Sequence, residues 1–163
     1  MLRFGLPISL SLLLSCSGGL TEPPGTRSIV AQFAAAPSSE QLSTLAELGT
    51  SIEPLAILRA AKLRTTTPVP VIEQVAGVIR ALDLGEDPDP WVSIFVSVSD
   101  SVSSADLAYV SGLDPLAAPA SIGTDMIAAI LRLSRVSDLG DRPRFLTVEI
   151  GMDDSGLGMR HPR

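Results

Sequence analysis

Residues 38–49, "SSEQLSTLAELG", and residues 103–114, "SSADLAYVSGLD", repeat one pattern along the chain. In the first copy, Ser38 and Gln41 have the Ser-x-x-Gln spacing of a capping box, in which side chains bond free amides at a helix start. Leucines then follow at the spacing of one helical face: Leu42, Leu45 and Leu48. The second copy places apolar residues at the same steps: Leu107, Val110 and Leu113. The repeat therefore predicts two similar helices, and Gly49 suits a left-handed residue after the first.

Short apolar segments on either side of the first helix predict strands. "SIVAQF" (28–33) precedes it, and "SIEPLAILRA" (51–60) and "KLRTTT" (62–67) follow it, with Pro54 favouring an edge strand or a bulge. A short helix at 71–78 and a strand at 79–85 complete the unit. This order of strand, helix, strand, strand, helix, strand predicts a ferredoxin-like (βαββαβ) fold with an antiparallel sheet and helices on one face.

The segment that follows predicts a second unit of the same kind. It opens with "WVSIFVSVS" (91–99), whose apolar residues alternate with period two. Ala-Ala-x-Leu occurs at 60–63 and again at 128–131. The closing strands carry acids, Asp83 and Glu149, at positions that we predict to be equivalent. We therefore predict an α+β protein with two tandem ferredoxin-like units at 28–85 and 91–151. A linker at 86–90 joins them, and a flexible tail covers 152–163.

The N-terminus predicts export and a lipid anchor. Residues 1–15 have one positive charge and a short apolar run, which is typical of a signal peptide. The run ends in Leu13-Leu14-Ser15-Cys16, which resembles the lipobox of bacterial lipoproteins. This resemblance implies that Cys16 carries the acyl chains, that 16–27 is a tether, and that the protein is anchored in the bacterial envelope, at the outer rather than the inner membrane. An ordinary signal peptide that contains a cysteine is the alternative.

Composition excludes several classes of function. The 163 residues have a net charge of -6 and contain no basic cluster, which disfavours nucleic acid as a partner. The single histidine, His161, is in the polar tail, and no residue set suits catalysis, a metal ion or another cofactor. The sequence therefore predicts a protein that is not an enzyme and whose partner is another protein.

The two units resemble the subtilisin-propeptide family of protease inhibitors. The resemblance rests on the opening Ile29–Phe33 strand, the Ala-Ala-x-Leu segments and the closing Val148-Glu149 pattern. It implies that a sheet face packs on a serine protease and that the segment after the last strand, beginning with Gly151 and Met152, enters the active-site cleft. Two alternatives remain open: a sensor that binds a small ligand between its ferredoxin-like units, and an envelope scaffold of unknown ligand.

Overall fold

The computed structural model describes residues 22–151, which form an α+β structure with two antiparallel four-stranded sheets. The elements of the first half are β1 (Arg27–Phe33), α1 (Ser39–Ala46), β2 (Ser51–Leu55), a short 3-10 helix (Ala56–Leu58), β3 (Ala60–Thr65), α2 (Val69–Ile72) and β4 (Val78–Asp83). Their sheet has the order β2-β3-β1-β4, so β2, which contains Pro54, is an edge strand as predicted.

The second half repeats this arrangement of strands. Its elements are β5 (Trp91–Val98), α3 (Ser104–Leu113), β6 (Ala120–Ile122), β7 (Met126–Arg132), a long 3-10 helix (Leu133–Asp141) and β8 (Phe145–Ile150). The order β6-β7-β5-β8 places each strand as in the first sheet. β6 is short, and the second helical segment is a 3-10 helix rather than an α-helix. The predicted α+β class with antiparallel sheets is confirmed.

The predicted capping box at Ser38 forms, and a second one forms at Ser103. The Gln41 amide donates to Ser38 Oγ at 3.2 Å, and the Ser38 amide donates to Gln41 Oε1 at 2.8 Å. The Asp106 amide donates to Ser103 Oγ at 3.2 Å, and the Ser103 amide donates to Asp106 Oδ2 at 3.0 Å. These bonds satisfy amides that have no partner within the helix, which explains why both helices begin at the repeated serine pairs.

The predicted apolar faces of the two helices are also confirmed, because the middle residue of each apolar set, Leu45 or Val110, is fully buried. The prediction for Gly49 is wrong, since this residue does not have a positive φ. A Cβ at Gly49 would lie 3.0 Å from the Arg64 carbonyl oxygen. The glycine therefore permits a close approach between two backbone segments rather than a left-handed helix end.

Both faces of the first sheet are buried. Ile29, Ala31 and Phe33 of β1 pack with Leu45 and other apolar residues of the first half. The opposite face, which we call the covered face, consists of Ser28, Val30, Gln32, Ala60, Lys62, Arg64, Arg80 and Leu82. Its apolar members Val30, Ala60 and Leu82 belong to the hydrophobic cluster of the second half. The two halves therefore share one core across this face.

Strand pairing corrects two details of the repeat. A register irregularity lies between Gln32 and Phe33 in the first sheet and between Ser97 and Val98 in the second. When the two sheets are aligned at these irregularities, Val30 of β1 corresponds to Phe95 of β5. Their partners on the closing strands, Leu82 and Glu149, therefore correspond as well. The prediction that Asp83 and Glu149 match is wrong by one residue. By the same count the Ala-Ala-x-Leu segments are displaced by two residues, because Ala61 faces Ala31 whereas Ile127 faces Val96.

The segment predicted as a linker, 86–90, is bonded to both halves. On the first half, the Asp87 carbonyl accepts from Ser28 Oγ at 2.6 Å and from Arg64 Nη1 at 3.4 Å. On the second half, the Asp89 carboxylate accepts from the Ser134 amide at 2.8 Å and the Ser134 hydroxyl at 2.9 Å. These bonds fix the connection between the halves. The end of the segment predicted as a tether, 16–27, is also bonded to the first half, because Glu22 pairs with the buried Arg64.

Candidate functional site

The predicted site residues fall mostly outside the part of the chain that the structure describes. Cys16, Met152 and His161 lie outside residues 22–151, and the proposed roles of Cys16 and Met152 stay predictions. Gly151 is described and follows the end of β8. Its amide donates to the Ser93 carbonyl at 2.8 Å, and a Cβ at this position would lie 2.7 Å from Phe95 Cε2. The chain therefore leaves the second sheet beside the ring of Phe95.

Phe95 belongs to a sheet face that is not part of either hydrophobic core. We call this surface the outer face, and it consists of Trp91, Ser93, Phe95 and Ser97 of β5, Met126, Ala128, Ile130 and Arg132 of β7, and Thr147 and Glu149 of β8. Each of these side chains is partly exposed. The guanidinium carbon of Arg132 lies 4.6 Å from the Trp91 ring centroid, a cation–π contact. The outer face is therefore amphipathic, with aromatic rings, apolar groups, hydroxyls, the Arg132 guanidinium and the Glu149 carboxylate.

A cleft of about 260 Å³ lies between the two halves. Its walls come from β1, the short 3-10 helix and β4 on one side, and from residues 146–150 of β8 on the other. The apolar lining includes Phe33, Ile57 and Leu58, and the polar lining includes Arg59 and Arg80. Arg80 also borders a neighbouring cleft of about 460 Å³ that extends to Gly151. Space for a small ligand therefore exists at the junction of the halves.

A charged cluster surrounds the start of α3. Asp106 is fully buried, accepts from Ser103 Oγ at 2.6 Å, and forms ion pairs with Arg142 at 3.3 Å and Arg144 at 3.2 Å. The hydrogen bonds from Ser103, together with the two guanidinium groups, hold the pKa of the Asp106 carboxyl below its usual range despite burial. Tyr109 packs beneath Arg142, whose guanidinium carbon lies 5.0 Å from its ring centroid. The one buried carboxylate of this cluster is therefore compensated by two half-exposed guanidinium groups, which is typical of a structural network.

Neither a metal site nor a membrane span is found in residues 22–151. This part of the chain has no group of three or more His, Cys, Asp or Glu side chains that could hold a metal ion. Within the same residues, no helix is long and apolar enough to cross a bilayer. No protein family, curated protein or solved structure matched the chain.

Sequence reasoning did not identify Arg80 or the partners of Asp106. Arg80 interrupts the apolar strand "VIRALD". A charged residue within an apolar strand is visible in the sequence and could have marked this position as unusual. The ion pairs of Asp106 join α3 to Arg142 and Arg144, which lie at least 36 positions further along the chain, so no local sequence pattern could show them. Asp106 itself was not singled out by the sequence analysis.

Proposed function

We propose that this protein is a non-enzymatic lipoprotein of two ferredoxin-like units that binds a protein partner through the outer face. The strand order β2-β3-β1-β4 and its repetition as β6-β7-β5-β8 support the ferredoxin-like assignment, because this is the antiparallel order that a βαββαβ unit produces. The lipid anchor at Cys16 rests on the lipobox resemblance. It places the partner in the bacterial envelope.

The observation that carries partner binding is the asymmetry between the two sheets. The apolar members of the covered face are buried in the shared core, whereas the apolar and aromatic members of the outer face are partly exposed and lie outside both cores. Tryptophan, phenylalanine, methionine and arginine are the residue types enriched in protein interfaces, and the outer face contains Trp91, Phe95, Met126 and Arg132. A protein partner suits this composition.

A subtilisin-like protease is the specific partner that we propose. In the inhibitor family that the chain resembles, a sheet face packs on the enzyme and the segment after the last strand occupies its cleft. Gly151 leaves β8 beside Phe95, so the segment that starts with Met152 departs from the edge of the outer face. This arrangement is compatible with one partner contacting both the face and the segment.

Titration of a purified subtilisin-type protease with the mature protein tests this proposal. We expect inhibition by the mature protein, loss of inhibition after deletion of 152–163, and at least tenfold weaker inhibition for Phe95→Asp on the outer face. Leu116→Asp is the matched control, because Leu116 is 61% exposed and belongs to a loop outside that face. Full protease activity at saturating mature protein would refute protease inhibition.

The lipid anchor has a separate test. Replacement of Cys16 by Ala removes the only cysteine, so we expect the variant to leave the membrane fraction and to lose labelling by a fatty-acid analogue. Ser15→Ala keeps the cysteine and is the control. A Cys16→Ala protein that remains membrane-bound and labelled would contradict the lipoprotein assignment.

A sensor of small ligands is the second candidate function. The cleft between the halves favours it, because that is the place where tandem units would hold a ligand. Such a sensor is expected to have a Gly- or Asp-rich turn after the first strand of a unit, and the segments after β1 and β5, "AAAPSS" and "DSVSS", offer only Asp100.

A further inference from the structure

The chain before the first strand is fixed to the first half at Glu22. Both oxygens of the Glu22 carboxylate accept from Arg64 Nε at 3.1 Å, and Oε2 also accepts from Arg64 Nη2. Arg64 is 7% exposed, and Glu22 is its only carboxylate partner in residues 22–151. Because a buried cation without a counter-charge is costly, this ion pair holds Glu22 in place on the folded body.

This attachment leaves a short tether to the proposed lipid anchor. Residues 17–21 separate Cys16 from Glu22, and six fully extended peptide steps span at most about 20 Å. With acyl chains on Cys16, Glu22 therefore lies within about 20 Å of the bilayer surface. One tether limits the distance of the body from the bilayer but leaves its orientation free. A second contact with the bilayer would fix that orientation.

The end of the second sheet that contains Trp91 lies close to this attachment point. Asp87 connects the two places, because its carbonyl accepts from Arg64 Nη1 at 3.4 Å and its carboxylate accepts from Arg132 Nη1 at 3.4 Å. The Arg132 guanidinium carbon in turn lies 4.6 Å from the Trp91 ring centroid. Since Arg64 also holds Glu22, Trp91 is at the end of the second half that the tether keeps near the bilayer.

The chemistry of the Trp91–Arg132 pair suits the headgroup region of a bilayer. Tryptophan is enriched where hydrocarbon meets headgroups, because its ring is apolar and its N–H is polar. Both side chains are partly exposed, and lipid phosphates accept hydrogen bonds from guanidinium groups. Two acids of the adjoining segment are engaged within the protein, because Asp87 pairs with Arg132 and Asp89 accepts from Ser134. The net charge of -6 disfavours an anionic surface, so zwitterionic lipid is the better match.

We propose that Trp91 and Arg132 form a bilayer contact that orients the lipid-anchored protein. The Trp91 ring enters the headgroup region of a zwitterionic bilayer, Arg132 donates to a lipid phosphate, and the short tether keeps both within reach. The rest of the outer face, including Phe95 and Met126, extends away from this end along the strands and stays available to a protein partner. The contact depends on the proposed lipid anchor at Cys16 and supplies the second attachment point that one tether lacks.

Fluorescence quenching tests this contact, because Trp91 is the only tryptophan of the chain. The acylated protein is bound to phosphatidylcholine vesicles whose lipids carry bromine near the headgroup end of one acyl chain. We expect Trp91 emission to fall at least about twofold relative to vesicles of unbrominated lipid. The matched control combines Trp91→Phe with Ile122→Trp, which moves the tryptophan about 20 Å along the strands to the other end of the sheet. Emission of the control should not respond to bromine.

A longer tether gives a second variant that leaves the folded body unchanged. Insertion of about twenty Gly and Ser residues after Gly19 keeps the Glu22–Arg64 pair but removes the restriction on distance. Quenching of Trp91 should then weaken, and equal quenching would refute the role of the short tether.

Flotation of each sample with the vesicles reports the lipid anchor separately. Wild type that floats but shows no quenching, or no more than the Ile122→Trp control, would overturn the bilayer contact and leave the anchor intact. Wild type that does not float would refute both. Quenching that requires anionic lipid would overturn the preference for zwitterionic headgroups. Protease inhibition is measured without vesicles, so its outcome is independent of all of these results.

Discussion

β1 and β5 occupy the same position in their sheets, yet they are buried differently. In β1 the run Ile29-Val30-Ala31 is buried on both faces, whereas in β5 buried Ile94 and Val96 alternate with partly exposed Ser93, Phe95 and Ser97. A strand covered on both faces needs consecutive apolar residues, and a strand covered on one face needs alternation. The two halves have the same strand order, but only the second has a sheet face that lies outside both hydrophobic cores.

The helix starts differ in a similar way. Ser38 pairs with the neutral Gln41, whose side-chain Nε2 also donates to the Ala76 carbonyl at 2.8 Å. Ser103 pairs with the buried carboxylate of Asp106, which two arginines compensate. The same local motif is therefore a modest cap in the first half and the centre of an ionic network in the second. Repetition of a motif does not imply repetition of its energetic role.

The largest effect is expected from placing a charge on the two matched strand positions. Val30→Asp should destabilise the fold by about 4 kcal/mol, because a carboxylate would be buried in the shared core without a partner. Phe95→Asp, at the matching position of β5, should cost only about 1 kcal/mol. Urea denaturation monitored by tryptophan fluorescence measures both. Equal losses would show that the outer face is as buried as the covered face.

Replacing the helix-cap partners should give an intermediate effect. Asp106→Ala leaves two guanidinium groups without their carboxylate and should cost about 2–3 kcal/mol, somewhat less than a fully buried ion pair because both arginines reach solvent. Gln41→Ala removes a neutral cap partner and should cost about 0.5–1 kcal/mol. Equilibrium unfolding at neutral pH measures the difference. Similar losses would indicate that the ionic network adds nothing to the cap.

The smallest effect is expected in how the stability losses of the Asp106 and Gln41 variants depend on pH. The pKa of Asp106 is lowered in the folded state, so its stabilisation is present above the unfolded pKa of about 3.9 and is lost as pH falls through the folded pKa. The stability gap between wild type and Asp106→Asn should therefore narrow below about pH 4. The gap between wild type and Gln41→Ala should stay constant, because Gln41 does not titrate. A constant gap for Asp106→Asn would contradict the lowered pKa.

Much of the fold follows from local sequence signals. The capping serines, the apolar helical faces and the edge position of Pro54 were predicted correctly, because each depends on residues within one or two turns. The equivalence of Asp83 and Glu149 was not, because matching by residue type ignored the one-residue shift that strand pairing reveals.

The candidate site on the outer face was predictable in part. Alternation in "WVSIFVSVS" indicated a strand with one exposed face, and Gly151 was placed at the end of the last strand. That this face, rather than the one in the first sheet, stays accessible depends on how the halves pack. The continuous apolar run of β1 contained this information, yet it also suits an ordinary buried strand.

The sequence by itself determined the two helices, the strand segments around them and the expectation of a lipid anchor at Cys16, because each is recorded in neighbouring residues. Only the tertiary structure decided that the first sheet is covered on both faces, that Asp106 is compensated by Arg142 and Arg144, and that Arg80 lines a cleft between the halves. The physical reason is the same for all three. Burial and pairing of a side chain depend on what packs against it, and here the packing residues lie far away in the chain.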